Sequence, residues 1–327
     1  MSKKIFKIAF KMVTITLCII LALAVLIIGG GNLAKFAIYS DYYSIKTDVC
    51  KNPGLSDGFV CQGICVYEQQ EKILVSGYMA DGSPSRIYVT DADNDCYYVS
   101  IAYASGKVFT GHSGGIAISG DSAYISSGEK IYAVPLLSIF SAENGDTVNI
   151  SKIIPVNNRA SFIYADEDYI YVGEYHDGKS ILSKHPYKTP DGMHYAIVTR
   201  YLAEDVEKYH KNNNPVLNPD KIYSVRNNVQ GICFTPDGRI VLSTSYGIND
   251  TVYYVYDENY ATDSGNVLDG APVYYLYNHI QKTKAPAMGE DLDYYDGRII
   301  TLTESASNKY IFGKFFFANT IVALEFE

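Results

Sequence analysis

The stretch QGIC at residues 62–65 occurs a second time at 230–233, and this repetition decides the fold class. Each copy is followed by a polar turn and a second apolar run, ILVS at 73–76 and IVLS at 240–243. Three related stretches begin further copies of the same unit: GGIA at 114–117, SFIY at 161–164 and GEDL at 289–292. Five copies of one short motif predict a repeat architecture in which each copy opens one structural unit.

Each unit is predicted to contain four short strands, because β-branched and aromatic runs alternate with Gly, Asp and Ser clusters that favour turns. In the first unit the runs are Gly63–Tyr67, Ile73–Tyr78, Arg86–Thr90 and Cys96–Ala102. In the unit that begins at 230 they are Gly231–Phe234, Ile240–Ser243, Thr251–Tyr256 and Val273–Tyr277. Antiparallel four-stranded units of this length are typical of β-propeller blades. The sequence therefore predicts an all-β protein with five four-stranded blades; a degenerate copy hidden at 202–218 or 257–287 would make six.

The last unit supplies only three strands, near Leu292–Tyr295, Ile299–Thr303 and Thr320–Phe326. An apolar and aromatic run at 36–46 follows the N-terminal segment and belongs to none of the five copies. We expect this run to pair with Thr320–Phe326 and close the ring, since the pairing would satisfy the open edges of both strands. The predicted domains are thus 1–35, a cytoplasmic stub with a membrane anchor, and 36–327, a propeller closed by the 36–46 strand.

The N-terminus carries four lysines and then an uncharged run at 12–31, which as a helix spans roughly 30 Å of hydrocarbon. Only Lys35 follows the run closely, so the positive-inside rule places the N-terminus in the cytoplasm and the remaining chain outside. A signal peptide that is cleaved to release a secreted protein is the alternative, although its apolar core is normally shorter, about 7–15 residues.

Composition limits the partners of the exported part. A net charge of −9 argues against nucleic acid, which requires a concentrated basic face, and suits cations or basic ligands instead. Five cysteines lie outside the apolar run, and this odd number at irregular spacing defines neither a disulfide framework nor a metal site. The sequence contains no nucleophile elbow, phosphate-binding loop or dinucleotide fingerprint.

The stretches GGIAI at 114–118 and GICFTPDG at 231–238 resemble the blade openings of secreted repeat propellers of the NHL and gluconolactonase/regucalcin kind. The resemblance covers about 290 residues and is specific for architecture. Lactonases of that kind bind a divalent cation in the central channel through one acidic residue, asparagines and an aspartate, and that set has no assigned positions in this sequence. Their early glutamate motif is absent from this sequence, so their catalytic residues have no counterparts here and only the analogy of fold remains.

In a propeller, the residues that enter each innermost strand and those that end each second strand converge on one mouth of the central channel. The positions differ from unit to unit and carry mixed donors and acceptors: Gln62, Tyr78, His112, Arg159, Glu174, His176, Gln230, Tyr246 and Glu304. A surface of varied polar groups is typical of a ligand site. The sequence therefore predicts a membrane-anchored, extracytoplasmic binding or sensing module, whose ligand is a small molecule, a glycan or an extracellular protein.

The alternative function is a metal-assisted hydrolase or lactonase at the same mouth. Its metal candidates are Glu290, Asp291 and Asp293, whose carboxylate oxygens would suit Ca²⁺; strand alternation would place both aspartates on one face. Its acid/base candidates are Glu174 and His176, which an i, i+2 spacing would put on one strand face. An enzyme of this class requires several such side chains to share one point in space.

Overall fold

The computed structural model describes residues 3–179, 184–210, 217–310, 313 and 318–326. Five antiparallel sheets stand around one axis, and their innermost strands contact each other in a ring. From the axis outward, the first two blades contain β2 (Phe59–Tyr67), β3 (Lys72–Met79), β4 (Arg86–Thr90) and β5 (Tyr97–Tyr103), then β6 (Gly115–Ser119), β7 (Ser122–Ser127), β8 (Lys130–Pro135) and β10 (Lys152–Pro155). The third and fourth contain β11 (Phe162–Ala165), β12 (Tyr169–Gly173), β15 (Ala196–Leu202) and β16 (Lys221–Val225), then β17 (Val229–Phe234), β18 (Arg239–Thr244), β19 (Thr251–Asp257) and β22 (His279–Ala285). The fifth contains β23 (Gly289–Tyr295), β24 (Arg298–Thr303), β25 (Thr320–Leu324) and β1 (Lys46–Lys51). The five-bladed propeller is confirmed.

The blades are held together by apolar faces that pack against their neighbours. Between the third and fourth blades, for example, the rings of Tyr171 and Phe234 stack with centroids 4.0 Å apart, and Tyr223 packs against the same phenylalanine. Fully burying one large apolar side chain stabilises a fold by roughly 1.5–3 kcal/mol, and each blade contributes several. The propeller thus has a core distributed between its blades.

Two segments extend blades beyond four strands. β9 (Thr147–Ile150) pairs in parallel with β5, and a hairpin of β20 (Thr262–Leu268) and β21 (Ala271–Tyr275) joins the outer strand β16. The predicted outer strand Val273–Tyr277 of the fourth blade was therefore wrong, since β22 occupies that place. The hairpin and β22 occupy the region 257–287, and the described part of 202–218 holds α4 (Ala203–Glu207) after the end of β15, so the six-bladed alternative was wrong as well.

The ring is closed by β1, which pairs antiparallel with β25 from Lys46 opposite Leu324 to Lys51 opposite Thr320. The predicted closing strand 36–46 was wrong in position, because helix α1 (Lys3–Ile38) continues to Ile38 and α2 (Ser40–Ile45) follows it. The two buried tyrosines of this segment, Tyr39 and Tyr42, are three residues apart, which is a helical spacing and not the alternation of a strand.

The other helices are short: α3 (Leu136–Phe140), α4 (Ala203–Glu207) and the 3-10 turns Glu68–Gln70 and Glu258–Tyr260. A small separate hairpin consists of β13 (Tyr187–Thr189) and β14 (Gly192–His194). Helix α1 is long and apolar enough to cross a membrane, and none of its apolar window is buried against the propeller. All six cysteines are unpaired, and Cys65 and Cys233 are buried as expected for apolar filler.

Candidate functional site

The glycines of the repeated motif lie where the innermost strands approach most closely. A Cβ atom on Gly63 would be 2.5 Å from the backbone nitrogen of Ile116, and one on Gly115 would be 2.6 Å from that of Ile163. A Cβ atom on Gly231 would be 2.6 Å from the Cα atom of Asp291. A Cβ atom at these distances would overlap backbone atoms, which cannot move aside, so the ring of five blades requires glycine at these positions.

Asp291 fills the axis of the propeller. Its side chain is completely buried, and its two carboxylate oxygens lie beside the glycines of the second and fourth blades and near the backbone N–H groups of Ile64 and Ile116. Within the described part of the chain, neither oxygen accepts a hydrogen bond of good geometry. Burial raises the pKa of Asp291 well above its usual range, which favours the neutral carboxylic acid. The channel therefore has a carboxyl floor that separates its two mouths.

We call the side on which each innermost strand begins and each second strand ends the upper face, and the opposite side the lower face. The upper mouth contains two acidic side chains close to the axis, Glu290 on β23 and Glu304 just after β24. Glu304 Oε2 accepts hydrogen bonds from Gln62 Nε2 at 2.9 Å and from the Tyr310 hydroxyl at 3.0 Å. Glu290 is the more deeply buried member of the pair.

The environment of these two carboxyls resists their ionisation. Burial, and then the charge of Glu304, raise the pKa of Glu290 well above its usual range. Burial raises the pKa of Glu304 to about 7, although its hydrogen bond from Tyr310 and the charge of Lys309 favour the ionised form. Two neighbouring carboxyls that cannot both ionise hold a proton at neutral pH. The pair can therefore donate a hydrogen bond to a ligand and also accept hydrogen bonds from it.

Aromatic rings flank this carboxyl pair. Tyr78 and His112 stack with ring centroids 4.7 Å apart, and Lys309 lies over the Tyr78 ring and donates to its hydroxyl. Burial, with the nearby Lys309 charge, lowers the pKa of His112, so this imidazole is neutral at pH 7. The rim on this side thus offers aromatic faces next to a cation and a neutral imidazole.

The opposite part of the upper mouth lies on the third blade. Glu174 accepts a hydrogen bond from the backbone nitrogen of Arg159 at 3.2 Å and contacts His185 Nδ1 at 2.9 Å. His176 stacks on Tyr195 instead, with centroids 5.0 Å apart. Glu174 and His176 line one cavity in this part of the mouth, but both lie beyond β12, which ends at Gly173, so the strand alternation expected for them does not apply. The histidine partner of Glu174 is one that the sequence did not single out.

Two further predicted residues lie on the fourth blade. Gln230 Nε2 is 3.4 Å from Ser245 Oγ, at the start of β17. Tyr246 follows β18 and is 43% exposed on the upper face. It lines a cavity of about 350 Å³ between the third and fourth blades, together with Arg226 and His194. All nine predicted mouth residues thus belong to upper-face segments. They form separate groups there: Gln62 with Glu304, Tyr78 with His112, and Arg159 with Glu174 and His176 around one cavity.

The three metal candidates are distributed along the axis rather than around one point. Glu290 lies at the upper mouth, Asp291 forms the floor, and Asp293 accepts a hydrogen bond from Val66 N at 2.7 Å below it. A bulge between Gly289 and Leu292 interrupts the strand alternation at this cluster. In the described ranges, no group of three or more His, Cys, Asp or Glu side chains could hold a metal ion. The side chains needed for a Ca²⁺ site are therefore not assembled there.

The lower mouth, which sequence reasoning did not single out, is a funnel of about 770 Å³. Its acidic lining residues come from several blades and from α4: Glu68, Asp166, Glu167, Glu207 and Asp293. Burial raises the pKa of Asp293 to about 7. The turns that follow each innermost strand could have pointed to this funnel, since several of them carry a Glu or Asp.

No protein-family model matches the chain, and no curated protein matches it. Among solved structures, the PQQ-bound aldose sugar dehydrogenase of Streptomyces coelicolor is 17% identical, with a TM-score of 0.41 over 79% of this chain and 77% of that one. An oxidoreductase named as a glucose dehydrogenase, from Thermus thermophilus, is 12% identical, with a TM-score of 0.43 over 85% and 99%. Hydrazine synthase of Kuenenia stuttgartiensis is 10% identical, with a TM-score of 0.38 over 75% of this chain, which spans 56% of that protein's chain. The two dehydrogenases are β-propeller proteins, and the likeness is one of fold alone.

Proposed function

We propose that this protein is a membrane-anchored, extracytoplasmic binding module whose upper mouth takes a neutral, hydroxyl-rich ligand such as a glycan. The observation that carries the proposal is the Glu290 and Glu304 pair beside the Gln62 amide. A carboxyl pair that keeps a proton, next to an amide, offers donors and acceptors without a large net charge. Hydroxyl groups of a ligand need this mixture of partners.

The aromatic rim supports the same ligand class. Tyr78, Tyr310 and Tyr246 bring rings and hydroxyl groups to the upper face, and amphipathic rings of this kind pack on the apolar faces of polar ligands. A strongly anionic ligand fits less well, because the carboxyl floor at Asp291 and the pair above it disfavour any added negative charge.

The anchor is α1, and the lysines that precede its apolar run support a cytoplasmic N-terminus with the propeller outside. A secreted form released by cleavage is the alternative localisation, and the size of the mature protein distinguishes the two.

The test is a glycan-array screen with the purified full-length chain, followed by titration calorimetry of the strongest hit. Glu304→Gln should weaken its binding about tenfold or more, because a hydrogen bond made in a buried site contributes roughly 1–2 kcal/mol. The matched control is Glu143→Gln, an exposed acid beyond α3. Equal affinity in both variants would contradict a ligand site at Glu304.

A hydrolase is the second candidate, favoured by one observation: two neighbouring carboxyls with raised pKa values could act as general acid and base. It predicts turnover of chromogenic lactones or esters that follows an ionisation near pH 7 and disappears in Glu304→Gln. Loss of turnover on adding EDTA would identify the metal-assisted form, whereas chelator-insensitive turnover would point to the carboxyls alone. Saturable glycan binding without turnover of any lactone or ester favours the binding module.

A further inference from the structure

Helix α2 packs along the fourth blade, and contacts at its two ends define its direction relative to the upper and lower faces. The Tyr39 hydroxyl donates to Asp250 at 3.0 Å, just before the start of β19 on the upper face. One turn further on, the Tyr42 ring stacks on Tyr253 with centroids 6.4 Å apart. At the far end, the carbonyl of Ile45 accepts a hydrogen bond from Glu325, beyond β25 at the lower face. From its N-terminal to its C-terminal end, the helix therefore runs from the upper to the lower face.

The apolar helix α1 consequently leaves the propeller on the upper side. The hydrogen bonds Tyr39 N to Lys35 O and Tyr43 N to Tyr39 O cross the junction of α1 and α2, and Phe36 packs on Tyr43 with centroids 4.5 Å apart. The first charged residue after the apolar run is Lys35, three residues before Ile38, which is about 5 Å of helix at 1.5 Å per residue. The headgroup layer beyond the hydrocarbon is roughly 5–8 Å thick on each side. The upper face is thus within reach of the interface of any bilayer that holds α1.

The upper-face loops beside Asp250 have the composition of a membrane-interface surface. Ile248 is 61% exposed, and Tyr246 and Met193, which line one cavity, are also exposed. Lys284 pairs with Asp250 at 3.1 Å, and Lys179 lies 5.5 Å from the centre of the Tyr246 ring. Aromatic and aliphatic side chains with lysines beside them are typical of surfaces that sit at headgroup level.

We infer that the upper-face patch of Met193, Tyr246 and Ile248 rests on the bilayer that holds α1, so that the upper mouth opens toward the lipid surface. The surface that contacts this apolar patch is the lipid interface, because the patch adjoins the point where the chain's own anchor leaves the propeller. This inference rests on the proposed anchoring and adds an orientation to the proposed site. A ligand of the upper mouth would then be presented at the membrane surface, as a lipid headgroup is.

The chain contains no tryptophan, so a single introduced tryptophan reports its own surroundings. Ile248→Trp places the reporter in the patch, and Leu137→Trp, at an 80% exposed position on α3 at the lower face, is the matched control. Each full-length variant is reconstituted into phosphatidylcholine vesicles with and without brominated acyl chains. We expect a blue-shifted emission and quenching by brominated lipid for Ile248→Trp only.

The outcomes separate orientation from anchoring and from ligand binding. Equal absence of quenching in both vesicle-bound variants would overturn the inference, and quenching of Leu137→Trp alone would show the opposite face to be at the membrane. A chain that does not float with the vesicles would disprove the anchor on which the inference depends. Glycan affinity, measured in detergent, reports on the mouth independently of all three results.

Discussion

At the residue scale, two kinds of position define this fold: those at which only glycine fits, and those at which a buried carboxyl is kept neutral. The motif glycines allow neighbouring innermost strands to touch, and Asp291 occupies the space that they leave on the axis. Because Asp291 is charged only at a large cost in this environment, the repeat and the carboxyl floor are parts of one arrangement.

Gly115→Ala is expected to lower the free energy of unfolding by roughly 1–3 kcal/mol or more, because the new methyl group overlaps backbone atoms of the third blade. Gly128→Ala is the matched control: nothing lies within 4 Å of its Cβ position, and only its positive φ of 67° resists the change, at about 1–2 kcal/mol. Urea unfolding of both variants measures the difference. A smaller loss at Gly115 than at Gly128 would contradict the close approach.

The stability of the propeller should depend on pH through Asp293 and Glu304. Both have pKa values raised to about 7 by burial, so the folded state holds these protons more tightly than the unfolded state, whose pKa values are about 4. Their contribution is fully present below about pH 4 and is lost as the pH rises through 7. Carboxyls with lowered pKa values, such as Asp91 and Asp237, titrate below this window.

We therefore expect the free energy of unfolding, and with it the urea midpoint, to fall between about pH 5 and pH 8, by on the order of 5 kcal/mol for the two groups together. Asp293→Asn should flatten this profile, because the amide stays neutral at every pH in the range. Glu304, together with Glu290 and Asp291, whose pKa values are also raised by burial, would leave a residual slope. A profile that rises over this pH range in the unmodified chain would be incompatible with raised pKa values.

At the element scale, the closing strand β1 joins the two ends of the propeller. It provides the fourth strand of the last blade and covers the edge of β25 over five residue pairs. Its position directly after α2 explains why the packing of α2 and the closure of the ring involve the same part of the chain.

A propeller fragment that begins at Lys46 should keep the ring closed, whereas one that begins at Asn52 lacks β1. Removal of β1 should lower the urea midpoint while the whole propeller still unfolds in one transition. It should also favour self-association of the fragment, since the exposed edge of β25 can pair with a second chain. Urea unfolding and light scattering after size exclusion measure the two effects. If the Asn52 form were as stable and as monomeric as the Lys46 form, β1 would have no role in closure.

At the scale of the whole molecule, topology can be tested without knowledge of a ligand. Cys96 is the exposed cysteine of the propeller, while Cys50, Cys61, Cys65 and Cys233 are buried. In intact cells that express the chain, a membrane-impermeant maleimide at about pH 8 should label Cys96, and Cys96→Ser should remove that label. Labelling that requires permeabilised cells would place the propeller inside. Retention in the membrane after high-salt and alkaline extraction should accompany the external label.

The sequence was sufficient for the architecture because each repeat carries its own strand pattern and turn signals. The Gln-Gly-Ile-Cys copies predicted the blades at 62 and 230, and an upper mouth was predicted from the position of residues within each unit. It was not sufficient where a contact depends on the third dimension. The tyrosines near residue 40 favour strand and helix alike, and only packing on Tyr253 selects the helix. Asp291 could not be recognised as the floor of the channel, because that role depends on the glycines of other blades.

The pairing of β1 with β25 also sets an order of events in time. Asp48 and Thr320, which bond to each other across this sheet, are 272 residues apart. At a synthesis rate of about 5–20 residues per second, roughly 15–55 s pass between their appearance from the ribosome. During that interval β1 has no partner, and the ring cannot shut until β25 has been synthesised. Completion of this propeller is therefore a late event, and the waiting edge of β1 is what a chaperone would need to protect.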